Sequence, residues 1–228
     1  MITDMRAAIF DLDGVIVDTA KYHFLAWRRL ANQLGFDFSE ADNEKLKGVS
    51  RVRSLEILLE LGKVDLDEEK RQAAASEKNA WYVEYIGKMD ASEILPGALD
   101  YLHFLKGRGV RIALGSASKN AVMILDLLGI RSLFDVIMDG TKVQKAKPDP
   151  EIFVRAAQEL GVAKEFCVVF EDAEAGVEAA RRAGMATVGV GKPEILKHAD
   201  VVIPGFVPLL AVGLIAREPA SSGARAAQ

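Results

Sequence analysis

Short apolar runs of strand length punctuate the chain at Ala7–Phe10, Val110–Leu114, Phe166–Phe170, Ala186–Val190 and Asp200–Ile203, with a weaker one at Val136–Met138. Most of the intervening segments carry apolar residues at helical spacing instead. Ala121, Ile124, Leu125 and Leu128 recur in this way up to Gly129, and Ile152, Phe153, Ala156, Ala157 and Leu160 up to Gly161. A glycine just past the last periodic residue is a helix stop. Strand alternating with helix predicts an α/β fold with a doubly wound parallel sheet, Rossmann-like in its core.

The first strand breaks the alternation, because a long helical stretch follows it before Val110. Phe24, Trp27, Leu30, Ala31 and Leu34 form one apolar stripe ending at Gly35, and Leu55, Leu58, Leu59 and Leu61 form a second ending at Gly62. Tyr82, Tyr85, Ile86 and Met89 form a third. Residues 20–92 are therefore expected to be an inserted α-helical cap domain, with residues 1–19 and 93–228 making the core. Pro96 and Gly97 mark the return to the core, and a helix is expected over Ala98–Gly107. Beyond Pro204 the pattern thins to one short helix and a compositionally loose tail over Glu218–Gln228.

Composition narrows the uses of such a fold. The chain has 228 residues, 50% of them hydrophobic, enough for a substantial core. A formal net charge of -4 offers no polyphosphate-binding surface, so no nucleic acid partner is expected. The start, MITDMR, has no basic patch leading into an apolar run, and Phe206–Ala216 is too short to span a bilayer and contains Pro208. No membrane association is expected, and a cytoplasmic location is. Cys167, the single cysteine, sits in the apolar run EFCVVFED and reads as a buried, inert thiol. No exposed heptad, repeat or charge tract points to a structural partner protein. A monomer is compatible with a cap that opens and closes.

In an open parallel sheet, ligands collect at the carboxyl ends of the strands, so the residues after each run share one edge. They are Asp11 and Asp13 in DLDG; Ser116, Ala117, Ser118, Lys119 and Asn120 in GSASKN; Lys145 and Lys147 in KAKPDP; and Glu171 and Asp172 in FEDAEAG. Asp11 and Asp13 point the same way on extended backbone and repel unless a cation sits between them. Taken singly, each loop reads equally well as a turn or a helix cap. Jointly, four carboxylates, a hydroxyl and a lysine suit a divalent metal and a phosphoryl group. A hard cation such as Mg²⁺ finds oxygens at Asp11, Asp172 and the backbone carbonyl near Asp13. With Lys147 neutralising the phosphoryl oxygens, Asp11 attacks phosphorus and Asp13 moves the proton of the hydroxyl. Ser116 and the amides after it hold a phosphoryl oxygen.

From DLDG through SAS, KPDP and EDAEAG to GVGKPE, the chain resembles the haloacid-dehalogenase-superfamily phosphotransferases with an inserted helical cap. Retention of Asp13 separates it from the true dehalogenases of that superfamily. The stretches DTAKYHFLAWRRLA, LKGVSRVRSLEILL, EKNAWYVEYI, GSASKN and KPDPEIF further resemble the superfamily's sugar-phosphate mutases. That resemblance implies a small sugar phosphate as substrate, phosphorylated at Asp11, with Asp13 as general acid/base and Lys147 beside them. It implies Asp11, Asp13 and Asp172 around Mg²⁺, with Glu171 as a neighbouring ligand or a group behind the ligands. It places Thr19 and His23 at the hinge side and Lys47, Gly48, Val49, Ser50 and Arg51 in a substrate-facing cap loop. Trp27 and Lys78 join them on the cap, and Ser116, Ala117, Ser118, Lys119 and Asn120 on the core.

One physical argument favours mutase over phosphatase. A mutase holds a bisphosphate in two orientations, so the phosphate that is not reacting needs a cationic anchor away from the metal. Arg51 follows Ser50, an expected N-cap, at the start of a helix running to Leu61, where guanidinium and helix amides can address one anion. A cation in a first helical turn is otherwise mildly unfavourable. Lys78 reads equally as a wet helical lysine, and His23 as a local hydrogen-bonding group or a positioner of Asp13. The rival readings are a sugar-phosphate or phosphoglycolate-type phosphatase and a non-catalytic phosphosugar binder. Hinges are expected near Val15–Ala20 and Ser92–Pro96.

Overall fold

A computed structural model of the chain describes residues 4–212. Six strands form one sheet: β1 (Ala7–Phe10), β2 (Arg111–Gly115), β3 (Val136–Met138), β4 (Cys167–Glu171), β5 (Ala186–Val190) and β6 (Val201–Ile203). All pairings are parallel, in the order β3-β2-β1-β4-β5-β6, so β1 and β4 lie at the centre. β2 and β4 start one residue later than the apolar runs and extend one residue further. Val110 is held by a turn, its amide donating to Leu105, and Phe166 closes a single 3-10 turn, Lys164–Phe166. At the far ends Gly115 pairs with Met138 and Glu171 with Gly189.

Alternation along β1 divides the core into two layers. Ala7 and Ile9 face α7 (Glu151–Leu160) and α8 (Glu174–Ala183), packing with Phe153, Ala156 and Ala180. Ala8 and Phe10 face the other way, toward α5 (Ala98–Gly107), α6 (Ala121–Leu127) and α9 (Val207–Val212). There Phe10 stacks on Phe170 with ring centroids 4.6 Å apart, and Tyr101 and Phe206 close over the pair. Buried rings of this size supply much of the apolar burial that holds the sheet flat against its helices. Cys167 is fully buried, and burial pushes its thiol up to about 11, an inert state.

Between β1 and β2 stand α1 (Ala20–Gln33), α2 (Glu40–Glu44), α3 (Arg51–Gly62) and α4 (Glu68–Ile86). α2 is invisible to apolar periodicity, since EADNE has no apolar stripe; it exists through a capping box between Ser39 and Asp42. α4 begins with Asp67 accepting from the Lys70 amide at 2.8 Å, and its polar first turns hide it in the sequence. Gly62 differs from its expected role as a stop. The left-handed cap of α3 is Lys63 (φ 51°), and Gly62 is required because a Cβ there would meet the Phe36 ring at 2.3 Å.

The two segments joining this helical block to the sheet are tied to each other. Val17 bridges Ile94, the Leu95 amide donates to Ile16 at 2.9 Å, and Glu93 accepts from the Tyr22 hydroxyl at 2.7 Å and from Lys21 at 2.6 Å. Pairing of the linkers sets the block over the carboxyl end of β1. The tail beyond residue 212 lies outside the described residues. No helix among the described residues is long and apolar enough to cross a membrane.

Candidate active site at the strand ends

The ladder of β1 closes with the Asp11 amide donating to Phe170 at 2.9 Å, which puts the Asp11 side chain at the sheet edge beside the end of β4. Lys147 reaches the same place from the loop before α7, its side chain fully buried. Its ammonium donates to Asp11 Oδ1 at 2.6 Å and makes a short bond to Glu171 Oε1. Burial opposes the charge, but Asp11 and Glu171 outweigh it and hold the lysine above its usual range. Carboxylate oxygens of Asp11, Glu171 and Asp172 all lie within 4.8 Å of one another. Burial, with the charge of Asp11 added and that of Lys147 subtracted, pushes Glu171 up to about 7. Burial and the neighbouring Glu171 and Asp11 likewise raise Asp172 well above the usual carboxylate range.

Two buried carboxylates and a half-buried one against one enclosed lysine leave excess negative charge, and an all-oxygen donor set of this kind suits a hard divalent cation. Two glycines make the cluster possible. A Cβ at Gly14 (φ +78°) would fall 2.1 Å from Asp172 Oδ2, and one at Gly176 would fall 2.0 Å from the Glu171 carboxylate.

The Asp13 carboxylate is turned away from the carboxylate cluster, in keeping with a metal set that draws on the backbone carbonyl near Asp13 and not on its side chain. It stands outside the trio, accepts a short hydrogen bond from the Thr19 hydroxyl, and lies 4.0 Å from His23 Nε2. Burial and the charge of Asp11 raise the Asp13 carboxyl to about 6, against Thr19, Lys147 and Lys78, which favour the ionised form. That value suits a group exchanging protons near neutrality.

Across a cavity of about 770 Å³ the helical block faces this edge. Lys78 of α4, 2% exposed, sets its ammonium 3.0 Å from His23 Nδ1, 4.3 Å over the Trp27 ring and 4.8 Å over that of Tyr82. While Lys78 is charged it can only donate, so His23 Nδ1 then accepts and the ring hydrogen sits on Nε2, toward Asp13. Burial and the nearby Lys78 and Arg51 keep His23 well below its ordinary pKa, hence neutral. Burial and the charge of Arg51 lower Lys78 to about 7. Arg51 opens α3 behind Ser50, whose hydroxyl accepts from the Arg53 amide at 3.3 Å. Among the described residues no carboxylate pairs with Arg51 or Lys78, although both line the cavity.

The cap loop sits close against the core. Lys47 lies 3.9 Å from Asp172 and 3.0 Å from Glu44, and a Cβ at Gly48 (φ +71°) would approach Ala173 Cβ to 2.7 Å. Val49 and Ser50 line the cavity with them, as do Ala117, Ser118, Lys119 and Asn120 from the core. Ser116 does not: it is fully buried, and its hydroxyl accepts from the Ser118 amide at 3.2 Å. Sequence reasoning missed Ser54, Asn79 and Tyr82, which also line the cavity. Ser54 stands one turn past Arg51, a spacing that could have exposed it. Tyr82 had passed as an apolar stripe residue. Its ring stacks on His23 with centroids 4.1 Å apart, and its buried hydroxyl has no hydrogen-bond partner among the described residues.

A strand-end aspartate beside a buried lysine and a carboxylate cluster, under an inserted helical block, defines the architecture of a haloacid dehalogenase-like hydrolase. The chain belongs to that family, whose model matches residues 5–184. It is 44% identical to the β-phosphoglucomutase of Bacillus subtilis over 201 residues, covering 87% of this chain and 89% of the relative. The crystal structure of β-phosphoglucomutase from Clostridium difficile superposes with a TM-score of 0.86 at 45% identity, covering 90% of this chain and 93% of that one. A fructose-1-phosphate phosphatase of Escherichia coli is 37% identical over 183 residues, 80% of this chain and 94% of the relative.

Proposed function

We infer that the chain is an isomerase that interconverts β-glucose 1-phosphate and glucose 6-phosphate, as the similar Bacillus subtilis and Clostridium difficile β-phosphoglucomutases do by name. The observation that carries the reading is the pair of basic side chains, Arg51 and Lys78, that line the cavity with Asp11 and have no carboxylate partner among the described residues. A phosphatase needs to hold one phosphate, at the strand ends. A mutase needs a second grip for the phosphate that is not reacting.

Asp11 carries the phosphoryl group and Lys147 offsets charge on its oxygens. Asp13 takes the proton of the sugar hydroxyl as phosphorus is transferred to it, and returns it when Asp11 removes phosphate from the other end of the bisphosphate. Thr19 and His23 hold Asp13 in place for both steps. Asp11, Asp172 and the Asp13 peptide carbonyl would hold Mg²⁺, with Glu171 beside them. Bound there, the ion would supply charge neutralisation between nucleophile and phosphate. Arg51, Lys78, Ser118, Lys119 and Asn120 bind the distal phosphate and sugar, against Trp27 and the Lys47–Ser50 loop. Residues 20–92 act as a lid that excludes water, hinged at the paired linkers. The enzyme acts as a monomer in the cytoplasm, where charged sugar phosphates are made and retained.

A coupled assay tests this. Supplied with β-glucose 1-phosphate, Mg²⁺ and a trace of bisphosphate primer, the enzyme should accumulate glucose 6-phosphate with little orthophosphate. Steady orthophosphate release without glucose 6-phosphate would make it a phosphatase.

A further inference from the structure

Lid and core touch through few polar side chains. Outside the linkers, and among the described residues, a single side-chain hydrogen bond crosses between them: Asn120 Nδ2 donates to Asn79 Oδ1 at 3.0 Å. Asn120 precedes the first turn of α6, its own amide held by the Ser118 hydroxyl at 3.2 Å, so its position belongs to the core. Asn79 follows Lys78 on α4 and moves with the lid. Both line the cavity and both are half-buried, where an amide bond is neither fully screened by water nor left without alternatives.

A side-chain amide nitrogen carries two hydrogens. At Asn120 one is committed to Asn79, and the other is left for a ligand in the cavity. Asn79 Nδ2 has no protein partner among the described residues and adds two further donors on the lid side. The pair therefore offers donor hydrogens from both bodies to one cavity, and a phosphate oxygen, which only accepts, suits such donors. Arg51 supplies positive charge to the same cavity.

We propose that Asn79 is a positioning residue that couples lid closure to occupancy of the distal phosphate subsite, by clasping the Asn120 amide that also meets that phosphate. The proposal rests on the mutase reading of the site. A phosphorylated monosaccharide bound in the cavity orients the Asn120 amide and strengthens the clasp. Without Asn79 the ligand still binds the core, but the lid opens more often and water reaches phosphorylated Asp11.

The test measures the ratio of orthophosphate released to glucose 6-phosphate formed, for wild type, Asn79→Ala and Asn79→Asp, in the primed β-glucose 1-phosphate assay. Loss of one hydrogen bond should raise that ratio roughly threefold to tenfold in Asn79→Ala. Asn79→Asp keeps the acceptor for Asn120 but sets a negative charge beside the phosphate, so KM should rise while the ratio stays near the wild-type value. Hydrogen exchange of the linkers, residues 15–20 and 92–96, should quicken in Asn79→Ala relative to Asn79→Asp with β-glucose 1,6-bisphosphate bound. An unchanged ratio in Asn79→Ala, or an equal rise in both variants, would overturn the clasp. Should the wild type make no glucose 6-phosphate, the mutase reading fails, and the exchange comparison alone decides the clasp.

Discussion

The two sides of the cavity hold charged groups under opposite terms. On the core side, Asp11, Glu171 and Asp172 crowd together, only the first two bonded to Lys147, and burial with mutual repulsion pushes the carboxyls of Glu171 and Asp172 upward. On the lid side, Arg51 and Lys78 are held in a partly dry wall without a carboxylate partner, and burial drives both downward. Each side is out of balance by itself, and a cation at the first and an anion at the second restores both. The difference fits the proposed division of labour, in which the core does the chemistry on one phosphate and the lid selects for a molecule bearing another.

The heaviest blow to the core side is Asp11→Asn, which removes the nucleophile and should reduce both mutase and hydrolytic turnover by about ten-thousand-fold or more. Bisphosphate binding, read by calorimetry, should survive because the lid side is intact. Asp13→Asn leaves the nucleophile but not the proton acceptor, and should cost about a hundredfold to ten-thousand-fold in kcat. On the lid side the expected losses are smaller. Arg51→Ala gives up a charge-assisted contact and should lower kcat/KM by about tenfold to a hundredfold, mostly through KM, with metal affinity unchanged. If Arg51→Ala instead damaged metal binding, the division between the two sides would be wrong.

The pH dependence of metal binding sharpens the core half. Glu171 titrates near 7 in the folded protein and near the ordinary 4.5 when unfolded. Between those values the folded state keeps a proton that the unfolded state has released, so metal-free stability should fall as pH rises through that window. A cation needs the ionised carboxylates, so the rise in melting temperature on adding Mg²⁺ should grow from pH 5 to pH 8. The smallest effect belongs to Ser50→Ala, which removes the cap of α3 and should cost about 1 kcal/mol of stability.

The strand ends were legible in the sequence because parallel topology dictates where loops after strands converge. Asp11, Lys147, Glu171 and Asp172 come from loops far apart in the chain and meet as that rule requires. Less could be read of orientation. Nothing in DLDG tells that Asp13 turns toward Thr19 or that Gly14 yields space to Asp172. Nor does the sequence show that the Ser116 hydroxyl also accepts from the Ser118 amide of its own loop. On the lid, α2 escaped because a capping box rather than an apolar stripe creates it. Tyr82 and Asn79 escaped because the wall they join forms only when α4 is laid over the core.

The central claim is that Asp11 stores the phosphoryl group between the two sugar positions. Mixing the enzyme and Mg²⁺ with β-glucose 1,6-bisphosphate for a single turnover, quenching in acid and mapping the mass should show one added phosphoryl group, on the peptide carrying Asp11. The Asp11→Asn protein should show none. A phosphoryl group on any other residue, or turnover to glucose 6-phosphate with Asp11 unmodified throughout, would contradict the account.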